Sequence, residues 1–182
     1  MSAIDDLKAV LACITDKLLD HELRPAVDKC VSALKAGNKI LICGNGGSAL
    51  QAQHLAAELV VRFETDRAAW AAIALSADSG VVTAAGNDYG YERIFDRQVE
   101  ALGRAGDVLI GFSTSGKSAN VCNAFALAAH KGLSTVGFCG AKGWKADPEV
   151  WVQAPSENTA RIQEVHLLFT HMLVQGIEAG LK

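Results

Sequence analysis

The stretch KILICGNGGSALQAQHLAAELVVR, residues Lys39 to Arg62, decides the fold. It begins as an apolar strand over Lys39–Cys43, turns through the glycine-rich run Gly44–Ser48 and continues as a helix to Arg62. Such a turn leaves backbone N–H groups free at the N-terminus of a helix, where they can bind a phosphate. The stretch therefore predicts the first unit of a parallel α/β sheet, with an anion site at the carboxyl edge.

The rest of the chain repeats this alternation of strands and helices. Further strands are predicted over Ala71–Leu75, Asp107–Phe112, Ser134–Cys139 and Val150–Gln153. The helices between and after them are predicted over Asp78–Ala85, Ile94–Leu102, Ser118–His130 and Asn158–Ala179. Five apolar strands with helices between them predict a doubly wound parallel sheet flanked by helices, flavodoxin-like or Rossmann-like.

The N-terminal part reads as two helices, over Ala3–Leu19 and Glu22–Ala36, since apolar residues recur there at helical spacing. A length of 182 residues favours a single domain. We divide it into an N-terminal helical extension, residues 1–37, and an α/β core with the C-terminal helix, residues 38–182. The extension offers a surface for oligomer packing.

Composition excludes several classes of function. A net charge of −3 gives no reason to expect nucleic-acid binding, and no apolar run is long enough to suggest a membrane span. The N-terminus lacks the basic and apolar regions of a signal peptide. The five scattered cysteines predict reduced thiols in a cytoplasmic protein, with no disulfide framework. They are Cys13, Cys30, Cys43, Cys122 and Cys139.

A second loop suited to phosphate follows the predicted strand Asp107–Phe112. It reads Ser113-Thr114-Ser115-Gly116-Lys117-Ser118, with three serines and a threonine and with Ser118 as a candidate N-cap. Capping alone would explain one such loop. Two loops at the ends of two strands favour a phosphate site.

A third segment, Gly86-Asn87-Asp88-Tyr89-Gly90, is predicted to be a turn at a strand end. As a functional element, its Asp88 could hydrogen-bond sugar hydroxyls.

The first glycine turn also admits a dinucleotide interpretation. Gly44, Gly46 and Ala49 fit the spacing of that fingerprint, and Glu64 lies twenty residues after Gly44. Glu64, however, comes just after a helix and not at the end of a second strand. This alternative predicts a nicotinamide cofactor, which no other feature of the sequence supports.

Two helices carry polar groups that could form one site. His54 and Glu58 lie four residues apart on one face of the first helix. Gln163 and His171 lie eight apart on the last helix, about 80° of helical rotation, so they can share a side. The four groups could ligate a divalent ion such as zinc, or Glu58 and His171 could act as base and acid without metal.

The motifs GNGGSA, QHLAAEL, GNDYG, STSGKSANV and RIQEVH resemble those of the phosphoheptose isomerases of the sugar-isomerase (SIS) domain superfamily. The resemblance runs from about Lys39 to the end of the last helix. It implies a five-stranded parallel sheet and a homotetramer with sites at subunit interfaces. It also implies interconversion of sedoheptulose 7-phosphate and D-glycero-D-manno-heptose 7-phosphate, the first step towards ADP- or GDP-heptose for lipopolysaccharide or capsule.

The resemblance also assigns residues. It places one zinc ion per subunit on His54, Glu58, Gln163 and His171. It places the substrate on Asn45, Gly46, Gly47, Asn87, Asp88, Ser113, Thr114, Ser115, Ser118 and Gln163, with Glu58, Ser48 and Arg62 as further candidates. Movement of a proton between C1 and C2 through an enediol needs a base and a group that shuttles oxygen protons. We assign these roles to Glu58 and His171.

The sequence departs from the family pattern at Gln51, at Ala160 and in the stretch GAKGWKADPEVWV that begins at Gly140.

Two rival functions share the fold. One is a tetrameric scaffold that binds the bacterial replication initiator protein, which the run RFETDR at Arg62–Arg67 resembles. The other is a non-catalytic phosphosugar sensor. Neither needs Glu58 and His171, which favours the isomerase.

Overall fold

The computed structural model describes residues 2–182, without the side chain of Lys17. Its strands are β1 (Ile40–Gly44), β2 (Ala72–Ala74), β3 (Val108–Ser113), β4 (Ser134–Cys139) and β5 (Val150–Gln153). They form one parallel five-stranded sheet in the order β2-β1-β3-β4-β5. The predicted fold class is confirmed, and the observed order is the flavodoxin-like one of the two alternatives.

Helices cover both faces of this sheet. They are α1 (Ala3–Ala12), α2 (Asp16–Leu18), α3 (Arg24–Lys35), α4 (Gly47–Val60), α5 (Ser79–Tyr89), α6 (Asp96–Leu102), α7 (Ala119–His130) and α8 (Thr159–Gly180). A π-helical turn over Leu19–Leu23 joins α2 to α3, and a 3₁₀ turn over Tyr91–Arg93 lies between α5 and α6.

Alternate side chains of each central strand enter two separate cores. In β1, Ile40 and Ile42 pack with α3, α4 and α8, whereas Leu41 and Cys43 pack with α5, α6 and α7. All four side chains are buried. Burial on both faces explains why the strands read as continuous apolar runs and not as alternating patterns.

The first predicted helix, Ala3–Leu19, is wrong in its length. Helix α1 ends at Ala12, and α2 begins at Asp16 and continues through the π-helical turn into α3. The break occurs because Thr15 adopts an extended conformation and its hydroxyl accepts a hydrogen bond from the Leu18 N–H at 3.3 Å. This is an N-cap interaction, which starts a new helix without disturbing the apolar periodicity.

The predicted turn at Gly86–Gly90 is also wrong. Helix α5 continues through Tyr89, and Gly90, at φ 91°, follows its last residue. Glycine and asparagine are weak helix formers, but tertiary contacts override this preference. The Arg97 guanidinium lies 4.5 Å from the centre of the Tyr89 ring and so holds the last turn of α5 against α6.

The structure pairs none of the described cysteines in a disulfide. Cys30, Cys43 and Cys139 are buried, whereas Cys122 is half-buried and Cys13 is exposed. Burial raises the pKa of the Cys30 and Cys139 thiols to about 12, so both stay protonated and unreactive near neutral pH. Within residues 2–182, none of the helices combines the length and the apolar character needed to cross a membrane.

A buried ion pair holds the amino-terminal edge of the sheet, away from the loops that follow β1 and β3. The Asp107 carboxylate accepts hydrogen bonds from the Lys39 N–H at 3.0 Å, the Lys39 Nζ at 2.5 Å and the Arg104 N–H at 2.8 Å. Burial favours the neutral acid, but the hydrogen bonds from Lys39 and Arg104 and the Lys39 charge outweigh it, so the pKa of Asp107 lies below its usual range.

Replacement of Asp107 by asparagine is expected to lower the free energy of unfolding at pH 7 by about 2 kcal/mol, since hydrogen bonds to a charged group are lost. A depressed carboxyl pKa stabilises the fold above the unfolded-state value, and this contribution disappears as the pH falls through the folded-state value. The difference between variant and wild type should therefore shrink below about pH 4. Urea unfolding at neutral and acidic pH measures it, and a difference that is constant with pH would contradict the assignment.

Candidate functional site

The two candidate phosphate loops lie side by side because β1 pairs directly with β3. Gly44, the last residue of β1, is in register with Phe112, and each strand is followed at once by its loop. The strand order reverses at this pair of strands, so the crevice between the loops is the topological switch point where doubly wound sheets bind ligands. Both loops lead into helix N-termini, those of α4 and α7.

A network of amide groups ties the first loop to α7. Asn45 and Asn120 exchange two side-chain hydrogen bonds, each 2.9 Å long, and the Tyr91 hydroxyl donates to Asn45 Oδ1 at 3.0 Å. Asn120 also accepts from the Val121 N–H at 2.9 Å and is buried. Neither Asn120 nor Tyr91 was among the predicted site residues. The only signal for Asn120 was its place two residues after the candidate N-cap Ser118.

Hydroxyl groups converge in the second loop. The Ser113 Oγ lies 2.9 Å from the Ser118 Oγ and 3.5 Å from the Ser115 Oγ, and the Ser115 Oγ accepts from the Lys117 N–H at 3.2 Å. Ser118 occupies the predicted N-cap position of α7, but its side chain makes no cap hydrogen bond there. Its hydroxyl turns instead to Ser113, towards the loop. Three hydroxyls at a helix N-terminus suit a phosphate group.

The segment that follows β4 holds the second loop in shape. Gly116 has φ 63°, and a Cβ built on it would lie 1.9 Å from the Gly143 carbonyl oxygen. The Gly116 carbonyl accepts from the Lys145 N–H at 2.8 Å, and Thr114 accepts from the Gly140 N–H at 3.2 Å. The segment beginning at Gly140, which departs from the family pattern, therefore supports the serine-rich loop, a contact that no sequence pattern predicts.

The acidic and imidazole groups meet where α4 packs on α8. His54 Nε2 lies 2.9 Å from His171 Nε2 and 3.5 Å from Glu58 Oε1. The Phe63 ring stacks on the His171 ring with centroids 5.5 Å apart. Because two Nε2 atoms at hydrogen-bond distance need one proton between them, one histidine donates and the other accepts. The group can therefore both hold and move a proton.

Helix α8 links this group to the first loop. A Cβ built on Gly47 would lie 2.5 Å from the Gln163 Nε2, so the Gln163 side chain lies against the start of α4. The Gln51 Nε2 donates to the Gln163 carbonyl at 2.6 Å, and its buried Oε1 has no partner among the described residues. Gln163 and His171 are separated by about 12 Å along the helix axis.

The donor set is chemically suited to a divalent cation. Among the described residues, no group of three or more His, Cys, Asp and Glu side chains is arranged so that it could hold a metal ion. Nevertheless, His54 Nε2, His171 Nε2 and Glu58 Oε1 lie close together, and a shift of the shared proton to the Nδ1 atom of its ring would leave the lone pairs of both Nε2 atoms free to bind a cation. Two imidazoles and a carboxylate are typical ligands of zinc.

The remaining candidates lie at the margins. Ser48 is buried in the first turn of α4, where a Cβ on Gly44 would lie 2.6 Å from its carbonyl oxygen. Arg62 is exposed after the end of α4. Asn87 and Asp88 are exposed on the last turn of α5, where the Asn87 Nδ2 donates to the Asp88 Oδ1 at 2.8 Å. The structure gives these last two no contact with either loop among the described hydrogen bonds.

His166, on the same helix as His171, lies outside the site. It is buried between Phe112 and Phe138, and its Nε2 lies 3.1 Å from the Cys139 carbonyl oxygen. Burial lowers the pKa of His166 to about 4, so the ring is neutral and donates to that carbonyl. It belongs to the core at the carboxyl ends of β3 and β4.

Comparisons with known proteins identify the family of the chain. The sequence matches the SIS-domain family over residues 4–140. A phosphoheptose isomerase from Aliarcobacter butzleri is 51% identical over 165 residues, which are 90% of this chain and 87% of that protein. The solved phosphoheptose isomerase of Neisseria gonorrhoeae is 39% identical with a TM-score of 0.87, covering 96% of this chain and 94% of that chain. The solved phosphoheptose isomerase of Francisella tularensis is 33% identical with a TM-score of 0.84, covering 98% of this chain and 100% of that chain. The chain therefore belongs to the phosphoheptose isomerase family of SIS-domain enzymes.

Proposed function

We propose that this enzyme is a phosphosugar isomerase that interconverts sedoheptulose 7-phosphate and D-glycero-D-manno-heptose 7-phosphate. The observation that carries the proposal is the convergence of His54, Glu58 and His171 at one end of a site whose other end is formed by the two phosphate loops. Helix α8 runs about 12 Å along its axis from Gln163, beside the first loop, to His171, beside His54. The names of the relatives support the same substrate class.

The two ends of the site have different tasks. The Ser113–Ser118 loop and the N-termini of α4 and α7 bind the phosphate, which fixes the far end of the sugar. This places C1 and C2 near Glu58 and His171 without a further loss of freedom at the moment of reaction. Asn45, held by Asn120 and Tyr91, offers its remaining hydrogen-bonding capacity to the sugar.

The reaction needs a base and a proton shuttle. Glu58 removes the proton from one carbon and returns it to the neighbouring carbon, through a planar enediol or enediolate. His171 exchanges protons with the two oxygen atoms, and its hydrogen bond to His54 Nε2 fixes the ring and supplies a proton partner. The Phe63 ring covers His171 on one side and limits its contact with water.

A cation is part of the proposal. His54, Glu58, His171 and Gln163 would hold one zinc ion per subunit, and the ion would supply polarisation of the carbonyl and hydroxyl oxygens of the sugar. A carboxylate that ligates a cation is a weaker base, so Glu58 carries out only one of these roles at a time. Chelation therefore separates the two assignments.

The proposal includes a homotetramer with sites at subunit interfaces. It is supported by large apolar side chains that α4, α8 and the residue after α4 leave exposed beside the site. They are Leu50 and Val61, about two-thirds exposed, and the less exposed Val60, Leu167 and Leu168. Exposed apolar groups on adjoining helices are typical of surfaces that pair with another chain.

The proposal also places the enzyme in the cytoplasm, where its free thiols stay reduced. There it would catalyse the first step towards nucleotide-activated heptose.

Glu58→Gln and His171→Ala are each expected to lower kcat by about 10²- to 10⁴-fold, because each removes one proton-transfer group. NMR observation of sedoheptulose 7-phosphate with the purified protein measures the product directly. The assay is run with metal-free enzyme and after addition of zinc. Activity that returns only with zinc would support the metal assignment, whereas full activity after chelation would contradict that assignment.

Unchanged turnover in Glu58→Gln would remove the base assignment. No turnover by folded wild-type protein under any metal condition would overturn the isomerase. Binding of the replication initiator protein by that inactive protein would then support the scaffold function.

Gly116→Ala is expected to raise the KM for the sugar phosphate by about 10-fold or more, since the added Cβ forces the serine-rich loop away from Gly143 and costs phosphate hydrogen bonds. Gly37→Ala is the matched control. Gly37 also has a positive φ, 79°, but has open space around its Cβ position and lies at the end of α3, away from the loop. Steady-state kinetics of both variants measures the effect, and an equal rise of KM in the two would contradict the role of the loop.

A further inference from the structure

We propose that Arg67 is a positioning residue, which fixes the end of α4 that carries Glu58 against α8, which carries His171. This inference rests on the proposed function, because the positioned groups are those assigned to proton transfer. Arg67 lies in the segment between α4 and β2, outside the candidate residues named from the sequence.

The guanidinium of Arg67 closes the end of α4. Its Nη2 donates to the Glu58 carbonyl oxygen at 2.6 Å, and its Nη1 donates to the carbonyl oxygens of Leu59 at 2.9 Å and Ala68 at 3.0 Å. The last carbonyl groups of a helix lack partners within the helix, and a cationic donor there satisfies them and complements the helix dipole. One of the bonds is made to the backbone of Glu58 itself, so the position of that residue depends directly on Arg67.

The same guanidinium is anchored to α8. Its Nε donates to the Glu178 Oε1 at 3.1 Å, and the Thr65 hydroxyl donates to the Glu178 Oε2 at 3.2 Å. Glu178 is 5% exposed, so this ion pair is buried. Glu178 and His171 are seven residues apart on α8 and therefore lie on the same face. Arg67 thus connects the backbone that carries the base to the helix face that carries the acid partner.

The surroundings of Arg67 fix its orientation. Its guanidinium carbon lies 3.4 Å from the centre of the Trp70 ring, and the Trp70 N–H donates to the Leu59 carbonyl at 3.2 Å. The segment 61–71 also carries Phe63, which stacks on His171. A planar fork that binds carbonyls, a carboxylate and an aromatic face at once is specific to arginine, since lysine has a single nitrogen.

An ion pair with a purely structural role would contribute to stability and leave the reaction unchanged. The Lys39–Asp107 pair is such a case in this chain, because it is also buried but lies at the amino-terminal edge of the sheet. The two pairs therefore allow a matched comparison, in which only the Arg67 pair contacts the backbone of a proton-transfer residue.

The test compares Arg67→Lys with Asp107→Asn, under conditions where both are folded. Arg67→Lys keeps a positive charge near Glu178 but cannot hold the Glu58 and Leu59 carbonyls together. It is expected to lower kcat by about 10- to 100-fold through misplacement of Glu58, and to change KM less than about twofold because the phosphate loops are untouched. Asp107→Asn is expected to lose stability with kcat and KM unchanged.

Glu178→Gln serves as a second variant. It keeps one side-chain oxygen that can accept from Arg67, but it replaces the oxygen that accepts from Thr65 by an NH2 group and removes the charge. Its loss of kcat should therefore have the same sign and be smaller. Wild-type kcat in folded Arg67→Lys would overturn the inference. An equal loss of kcat in Asp107→Asn would also overturn it.

Amide hydrogen exchange separates this inference from the proposed function. Exchange at Leu59–Val61 is expected to accelerate in Arg67→Lys and to match the wild type in Asp107→Asn, whatever the enzyme turns over. If the wild type shows no isomerase activity, the proposed function fails and the exchange result alone decides whether Arg67 fixes the end of α4. Unchanged exchange there in Arg67→Lys would overturn the positional role.

Discussion

The parallel pairing of β1 with β3 is the constraint on which the site depends. It sets Gly44 beside Phe112, and the glycine-rich and serine-rich loops therefore leave the sheet as neighbours. The order reverses at this point, so the helices that follow the two strands lie on opposite faces and leave a crevice between their N-termini. In the proposed function, a phosphate bound in that crevice would meet backbone N–H groups from two helices and hydroxyls from one loop.

Helix α8 extends the candidate site from the crevice between the loops to the groups to which we assign proton transfer. It packs along α4, with Gln163 at the start of α4 and His171 beside His54 further along. A shift of one helix against the other would separate His171 from His54 and Glu58 while leaving both loops intact. This is why a contact such as Arg67 with Glu178, which joins the two helices at their far ends, bears on the reaction.

Sequence reasoning predicted the parts of the site that depend on local patterns. The glycine turn after β1, the serine run after β3 and the His54–Glu58 spacing follow from the chain itself, and a parallel sheet brings the strand ends together. It failed for α5, which continues through a segment of weak helix propensity and places its last residue, Tyr89, against Arg97. It could not find Asn120, whose partner Asn45 lies 75 positions away.

The same limit applies to the supports of the site. Arg67 is one of several charged residues in RFETDR, and no local pattern distinguishes the one that reaches the Glu58 carbonyl. The contact between Gly116 and Gly143 likewise joins two loops that are distant in the chain. Such contacts depend on how helices and loops pack against the sheet. Neither hydrophobic periodicity nor motif spacing predicts them.

The central claim is that one substrate spans the phosphate loops and the His54–Glu58–His171 group. The most direct test is a crystal structure of the Glu58→Gln variant with sedoheptulose 7-phosphate. The account predicts the phosphate within hydrogen-bond distance of the Ser113, Ser115 and Ser118 hydroxyls, with C1 and C2 beside His171. A phosphate bound at His54, or in the groove between α5 and α6 lined by Ala77, Val81 and Arg97, would contradict it.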